Sequence, residues 1–266
     1  MLGSASGEER GALVSALWLA METLRRLRNA AGKAVHMAYD GYRVALKPRI
    51  NIADVILLAD ARLSEPMRRT LYGREYEQHE LRILRQTLRP ADRVLELGSG
   101  MGLLSIYCAQ RLGSDAVTTF EGNPEMEAII RANYAANGVT PTLIMEMVGP
   151  CRGQHEFHIR KNFWASSGHA ARAEGSRAVM VPMRALDEEI ARTRPSYLIV
   201  DIEGGEAGLF DTTELPGVER LLIEVHPDVI GEVGVESVLD RLRALRFRLD
   251  TSLSSERELF LTRVGR

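Results

Sequence analysis

A short apolar strand followed at once by three closely spaced glycines constrains the fold of this chain more than any other feature. Residues 94–97 read Val-Leu-Glu-Leu, and glycines occupy positions 98, 100 and 102, before the apolar pattern of a helix that begins at Leu103. This order is typical of an open parallel sheet, whose ligands bind beyond the carboxyl ends of the strands. Glycines there let the backbone approach a ligand closely. The turn therefore predicts an α/β fold with a ligand site at one sheet edge.

The spacing of the glycines separates two classes of nucleotide ligand. The dinucleotide fingerprint G-x-G-x-x-G needs a glycine at position 103, where this chain has Leu103. The spacing G-x-G-x-G instead favours a nucleoside that carries no pyrophosphate. Glu121 ends the next predicted strand, where its carboxylate can accept hydrogen bonds from both ribose hydroxyls. Together these residues predict a site for S-adenosylmethionine (SAM); a dehydrogenase-type turn and a merely structural strand-to-helix loop are the alternatives.

Short apolar segments alternate with helical ones from residue 91 onward. The predicted strands cover residues 94–97, 116–121, 143–148, 197–202, 221–225, 247–251 and 258–261, and the predicted helices cover 103–111, 124–136, 185–192 and 237–245. This alternation predicts a Rossmann-like, mostly parallel seven-stranded sheet with helices on both faces. Residues 150–179 interrupt it with one strand over 155–159 and a long polar loop, which we expect to be functional.

The first 90 residues have a different, mainly helical pattern. An amphipathic helix is predicted over 10–29, a hairpin over 35–46, and helices over 52–63, 66–71 and 75–88. We therefore expect a mostly helical N-terminal cap or accessory region over 1–90, followed by a SAM-binding catalytic domain over 91–266. The first helix either packs on the catalytic domain or pairs with a second copy of the chain, so homo-oligomerisation through it stays open.

Composition and charge exclude several function classes. The net charge of −2 predicts affinity for neither nucleic acid nor membranes. Cys108 and Cys151 are the two cysteines, too few for a disulfide framework or a paired-cysteine metal site. The apolar run over 12–21 is too short for a span, which needs roughly 20 residues, and it follows two glutamates rather than a basic segment. We expect a cytoplasmic protein.

From about residue 73 to the C-terminus, the sequence resembles the FkbM-type methyltransferases, a branch of the class I SAM-dependent fold. Several segments carry the resemblance in order: Tyr76-Glu77 with Glu80, residues 94–102, residues 121–124, Leu186-Asp187, residues 199–206 and residues 222–226. The most specific pair is Asp-Ile-Glu-Gly-Gly-Glu over 201–206 followed by Ile-Glu-Val-His over 223–226. The resemblance implies a methyltransferase that acts mostly on hydroxyl oxygens, often of sugars or polyketide-type natural products. The chain departs from the family in its glycine turn and in its first 70 residues.

The same resemblance implies roles for the residues that match. Glu96 is expected near the methionine end of SAM, Tyr76 at its carboxylate, and Asp201 at its transferred methyl or amino group. The complete predicted cofactor-binding set comprises Tyr76, Glu96, Gly98, Ser99, Gly100, Glu121, Asn123 and Asp201.

Acidic residues and a histidine follow two of the predicted strands. Residues two apart on a strand project to the same face, which pairs Asp201 with Glu203 and Glu224 with His226. If these strands are neighbours, three carboxylates and an imidazole converge at one sheet edge. Histidine can take a hydroxyl proton at neutral pH. We therefore predict that His226 is the general base, oriented by Glu224 or Glu203; a structural histidine bonded to the backbone is the alternative.

A divalent metal is an alternative use of the same acids. Asp201, Glu203 and Glu206 offer the oxygen ligands that hard cations prefer. The sequence spacing shows no second carboxylate cluster of suitable kind, and we therefore expect no metal.

Two other functions remain open beside hydroxyl methylation of a small molecule. The chain could methylate a protein or another macromolecule, although base-modifying enzymes usually carry an Asn/Asp-Pro-Pro-aromatic run where this chain has Asp-Ile-Glu-Gly at 201–204. It could also be a non-catalytic partner that keeps the SAM fold. The acceptor cannot be assigned from the sequence, because residues 1–72 and 150–179 match no recognisable pattern.

Overall fold

The computed structural model describes residues 49–60, 63–159 and 176–265, all of them within one unit that spans residues 49–266. The predicted helix over 10–29, the predicted hairpin over 35–46 and most of the predicted loop lie outside the described residues. The helical cap, the domain boundary at residue 90 and the oligomer contact therefore stay predictions. Within the described residues, no helix combines the length and apolar character that crossing a bilayer requires.

Twelve strands and six α-helices make up the described part of the chain. In chain order they are β1 (Arg49–Ile52), β2 (Val55–Leu58), α1 (Glu65–Gly73), α2 (Gln78–Thr87), β3 (Val94–Leu97), α3 (Leu103–Leu112), β4 (Val117–Phe120), α4 (Glu127–Asn137), β5 (Thr142–Ile144), β6 (Met147–Gly149), β7 (Gly153–Ile159), β8 (Arg177–Ala185), α5 (Leu186–Thr193), β9 (Tyr197–Val200), β10 (Arg220–Glu224), α6 (Pro227–Ala244), β11 (Phe247–Leu249) and β12 (Glu258–Arg263).

The central sheet has seven strands in the order β11-β12-β10-β9-β3-β4-β5. The pairs β10-β9, β9-β3, β3-β4 and β4-β5 are parallel, whereas β12 runs antiparallel to both of its neighbours. Every residue of β3 and β9 is buried, so both faces of the sheet centre are covered. The structure thus confirms the predicted mostly parallel seven-stranded sheet.

A hairpin occupies the segment where the sequence predicted a helix over 52–63. Strands β1 and β2 pair antiparallel across a two-residue turn, in which Ala53 and Asp54 have φ values of 53° and 70°. The helix prediction was wrong because the buried residues Ile50, Ile52, Val55 and Leu57 follow the two-residue period of strands around this turn. The side chains of α4 hold the hairpin in place: Asn137 accepts a hydrogen bond from the Ile56 amide at 2.8 Å.

A second sheet of three strands, in the order β6-β8-β7, replaces part of the predicted loop. The single strand predicted over 143–148 divides between the two sheets as β5 and β6. Strand β8, which contains Pro182, was not predicted. Pro182 pairs with Gln154 in the antiparallel register of β7 and β8.

The helices α3, α4 and α5 lie where they were predicted. Helix α6 begins at Pro227, ten residues before the predicted start, and Gly231 interrupts it with non-helical backbone at φ 71°. The early start brings the helix directly behind His226 at the end of β10.

Candidate active site

A cavity of about 740 Å³ opens at the carboxyl ends of the parallel strands. Its floor includes the last residues of three strands, Leu97 of β3, Phe120 of β4 and Glu224 of β10. Residues 75–80, which include the first turn of α2, form one wall, and residues 146–151 with parts of β7 and β8 form another. A volume of this size suits a nucleoside-sized ligand together with a small second ligand. The cavity therefore lies where the fold predicts a binding site.

The glycine turn passes directly beneath this cavity. Gly98 has φ +87°, and a Cβ at this position would lie 1.7 Å from the carbonyl oxygen of Asp201. The amide of Asp201 in turn donates to the carbonyl of Leu97 at 2.8 Å. Only glycine fits at position 98, because any side chain would collide with the backbone that follows β9.

Glu121 lines the cavity and is held by the backbone of two loops. Its Oε2 accepts a hydrogen bond from the Gly100 amide at 3.0 Å, and its Oε1 accepts one from the Asn123 amide at 2.7 Å. Burial raises the pKa of Glu121 to about 7, although these backbone hydrogen bonds lower it. The carboxylate is thus fixed in direction and changes charge near neutral pH.

Tyr76 joins the segment before α2 to the glycine turn. Its hydroxyl accepts a hydrogen bond from the Met101 amide at 3.3 Å, and the ring is 8% exposed. Burial, together with the neighbouring Glu77 carboxyl, raises the pKa of Tyr76 well above its usual value. The hydroxyl therefore stays protonated at neutral pH.

The predicted cofactor-binding residues divide into two groups. The residues that line the cavity are Tyr76, Gly98, Gly100, Glu121 and Asp201. Those outside the described cavity lining are Glu96, Ser99 and Asn123.

Each residue of the second group is engaged or buried elsewhere. Glu96 is 1% exposed and accepts a short hydrogen bond from Thr119 of β4, and burial raises the pKa of Glu96 to about 8. The side chain of Asn123 accepts from the Glu125 amide at 3.0 Å, and Ser99 is 2% exposed. These side chains support the turns that surround the ligand site.

The four predicted catalytic residues converge in the cavity wall, beside the ends of β9 and β10. His226 is 5% exposed, and its Nε2 lies 3.4 Å from Glu203 Oε2, 3.5 Å from Glu224 Oε1 and 3.7 Å from Asp201 Oδ1. Asp201 Oδ1 is buried and has no hydrogen-bond partner in the described part of the chain. The convergence that the sequence predicted therefore exists, because β9 and β10 are neighbours in parallel register.

The other ring nitrogen of His226 contacts a residue that the sequence did not single out for this role. Nδ1 lies 3.0 Å from Oε1 of Glu206, whose side chain is completely buried. Burial lowers the pKa of His226, but the hydrogen bond with Glu206 and the charge of Asp201 outweigh this effect and raise it to about 9. The proposed orienting residues, Glu203 and Glu224, lie on the Nε2 side instead.

A second carboxylate group adjoins the first. Glu80, Glu224 and Glu258 place oxygens within 4.8 Å of one another, as Asp201, Glu203 and His226 also do with their ligand atoms. The sequence predicted no metal because its spacing shows no second carboxylate cluster. The structure contains such a cluster, so this argument against a metal does not hold. Glu258 is brought to Glu224 by the antiparallel register of β12 and β10, which sequence spacing does not reveal. Metal independence stays a prediction.

Residues 102–249, more than half of the chain, match the model of the methyltransferase FkbM domain. The chain belongs to the FkbM methyltransferase family. FkbM methyltransferases use SAM as methyl donor, and SAM is the cofactor of this chain. The cavity fits it: the bare backbone at Gly98 and Gly100, the fixed carboxylate of Glu121 and the unbonded oxygen of Asp201 face one space.

Distantly related solved structures resemble this FkbM methyltransferase. They include the O-methyltransferase TomG of Streptomyces achromogenes in complex with SAM (17% identity, 85% of this chain and 96% of that chain, TM-score 0.40). TYW2 of M. jannaschii in complex with AdoMet (11%, 81% and 86%, 0.43) and precorrin-6y C5,15-methyltransferase of Geobacter metallireducens (12%, 70% and 85%, 0.41) are others. No curated protein matches the sequence. The acceptor has to be argued from the site.

Proposed function

We propose that this FkbM methyltransferase transfers the methyl group of SAM to a hydroxyl oxygen of a small molecule, a sugar or a natural product. The observation that carries the proposal is the position of His226 Nε2 at the cavity wall, beside Asp201 and Glu224 at the ends of β9 and β10. Transfer to oxygen needs a base for the hydroxyl proton, and a buried imidazole at this edge supplies one.

The cofactor is held by the half of the cavity that the glycine turn forms. Glu121 accepts hydrogen bonds from the ribose hydroxyls, Tyr76 lies at the carboxylate of SAM, and Asp201 faces the amino group or the methyl group. Gly98 and Gly100 leave the backbone open beneath the ligand. Bound there, SAM supplies an electrophilic methyl group.

The acceptor occupies the half of the cavity that adjoins His226. As the new oxygen–carbon bond forms and the carbon–sulfur bond breaks, the hydroxyl proton passes to Nε2 of His226. Asp201, Glu203 and Glu224 stabilise the imidazolium that results, because their carboxyls lie 3.4–3.7 Å from Nε2. Holding the acceptor in line within this enclosed space accounts for much of the expected rate acceleration.

Two alternatives lead to different experimental outcomes. A methyltransferase that acts on a protein or another macromolecule would label a large acceptor, and a non-catalytic SAM-fold partner would bind SAM without transfer. Purified protein is first titrated with SAM by calorimetry. It is then incubated with methyl-labelled SAM and a panel of hydroxylated sugars and polyketides.

A labelled small molecule with a methyl ether, identified by mass spectrometry, supports the proposal. The variant Asp201→Asn, which keeps the side-chain volume but replaces the carboxyl group with an amide, should lower transfer at least about tenfold. SAM binding with no transfer to any hydroxyl, or label found only in macromolecules, would overturn the proposal.

A further inference from the structure

We propose that Glu206 is the positioning residue of the candidate active site, which holds the ring of His226 so that Nε2 faces the acceptor. The role of His226 rests on the proposed function, whereas the contact between the two side chains does not. Glu206 was expected only as an alternative metal ligand, and the orienting role was expected of Glu203 or Glu224.

The geometry of Glu206 suits a fixed support. Its side chain is completely buried, and Oε1 lies 3.0 Å from His226 Nδ1. The same oxygen accepts a hydrogen bond from the Gly204 amide at 3.1 Å, within the sharp turn where Glu203 and Gly204 have φ values of 51° and 100°. The carboxylate is therefore held by a backbone amide of its own loop as well as by the histidine.

This contact determines which nitrogen of the neutral ring carries the proton. A carboxylate only accepts hydrogen bonds, so Nδ1 of His226 must donate and Nε2 keeps its lone pair. Asp201, Glu203 and Glu224 approach the ring at Nε2, at 3.7, 3.4 and 3.5 Å. Glu206 is thus the acid that can select the tautomer a base at the cavity requires.

Two substitutions separate the charge of Glu206 from its hydrogen bond. Glu206→Gln keeps an oxygen that can accept from Nδ1 but removes the negative charge, whereas Glu206→Ala removes both. Glu189→Gln is the matched control, because Glu189 is also a buried carboxyl, 3% exposed, and pairs with Arg184 and Arg192 instead of His226.

The first experiment needs no acceptor. Nitrogen-15 labelling of the histidines, with the His226 signals assigned by loss in His226→Asn, reports tautomer and ionisation by NMR. We expect Nδ1–H at high pH in the wild type and in Glu189→Gln, and an Nε2–H tautomer in Glu206→Ala. Glu206→Gln should keep Nδ1–H while His226 titrates at lower pH.

An unchanged tautomer and titration in Glu206→Ala would overturn the proposal. If that variant does not fold, an unchanged titration in Glu206→Gln decides the same question.

The second experiment measures transfer. Glu206→Ala should lower kcat about 10- to 100-fold while leaving the KM for SAM within about twofold, since only part of a base's contribution of about 10²–10⁴ depends on its orientation. Glu206→Gln should rescue most of kcat and move the acidic limb of the rate–pH profile to lower pH. A normal kcat in Glu206→Ala would contradict the positioning role. If NMR shows the predicted tautomer change but His226→Ala keeps its kcat, the positioning holds and the proposed base fails.

Discussion

Gly98 and Asp201 contact each other so closely that the turn after β3 and the end of β9 cannot be changed independently. A Cβ on Gly98 would lie 1.7 Å from the carbonyl oxygen of Asp201, and the backbone of Gly98 has φ +87°. The part of the cavity proposed to bind the cofactor and the acid cluster are therefore connected by this close backbone contact.

The first prediction follows from this contact between Gly98 and Asp201. Gly98→Ala should lower the free energy of unfolding by more than about 2 kcal/mol and weaken SAM binding at least about tenfold, because it adds a backbone collision to the cost of a left-handed residue. Gly113→Ala is the control: its φ is +88°, but a Cβ there meets no atom within 4 Å. Denaturant titration and calorimetry compare the two. Equal losses in both variants would show that the collision does not matter.

The second prediction concerns the pH dependence of SAM binding. The pKa of Glu121 is raised to about 7 by burial, so the carboxylate that ribose hydroxyls require is present above pH 7 and lost below it. Affinity for SAM should rise between pH 6 and pH 8. Glu121→Gln should remove this dependence and weaken binding at least about tenfold, since a hydrogen bond to a charged group contributes about 1.5–3 kcal/mol.

Calorimetry across this pH range checks the prediction. Glu125→Gln is the control, because Glu125 is exposed and pairs with Arg177 rather than lining the cavity. A Glu121→Gln variant that binds SAM as tightly as the wild type would exclude the ribose contact.

The third prediction concerns the proposed base. The hydrogen bond that His226 donates to Glu206 and the charges of the surrounding carboxylates raise the pKa of His226 to about 9 against the effect of burial, so the ring is mostly protonated at pH 7. A base must be neutral, and kcat/KM for the acceptor should therefore rise with pH and level off above about 9. His226→Ala should lower kcat about 10²- to 10⁴-fold while still binding SAM. If His226→Ala retains most of kcat, another group must accept the hydroxyl proton.

The fourth prediction is that transfer needs no divalent metal. Burial and the neighbouring Asp201 raise the pKa of Glu224 to about 8, so protons on Glu224 and His226 offset much of the cluster's charge at pH 7. EDTA should then leave the transfer rate unchanged, and added Mg²⁺ or Mn²⁺ should not increase it. A rate lost with EDTA and restored by Mg²⁺ would assign a metal to Asp201, Glu203 and His226, whose ligand atoms lie within 4.8 Å of one another.

The fifth prediction tests how the β1–β2 hairpin is anchored. The buried side chain of Asn133 accepts from the Leu58 amide and donates to the Met101 carbonyl, both at 2.9 Å. Asn133→Ala should lower the free energy of unfolding by about 2–4 kcal/mol, because it leaves both backbone groups without partners. Arg131→Ala on the same helix breaks only an exposed ion pair with Glu127 and should cost less than about 1 kcal/mol. Thermal or denaturant unfolding compares the two variants.

Local pattern was sufficient where one segment determines its own structure. The buried run before Gly98 predicted β3, the glycine spacing predicted the turn, and the apolar periods predicted α3, α4 and α5 at nearly their observed bounds. Glu121 and the motif over 201–206 likewise identified the edge of the sheet where the ligand binds, because the carboxyl ends of parallel strands meet at one edge.

Pattern was misleading where long-range pairing outweighs local preference. Strand β8 was not predicted, yet it forms by pairing with β6 and β7. The segment over 52–63 was predicted as a helix but forms a hairpin, whose amides are partly satisfied by Asn133 and Asn137 of α4, far along the chain.

By itself, the sequence determined the class of fold, the cofactor and the edge of the sheet where chemistry takes place, since each depends on short motifs with fixed spacing. Only the tertiary structure decided how the side chains at that edge are paired. The contact of Glu206 with Nδ1 of His226 depends on how a turn folds back against β10, and the approach of Glu258 to Glu224 depends on the register of an antiparallel strand. Spacing along the chain carries no information on either, because both are set by packing between segments that are distant in sequence.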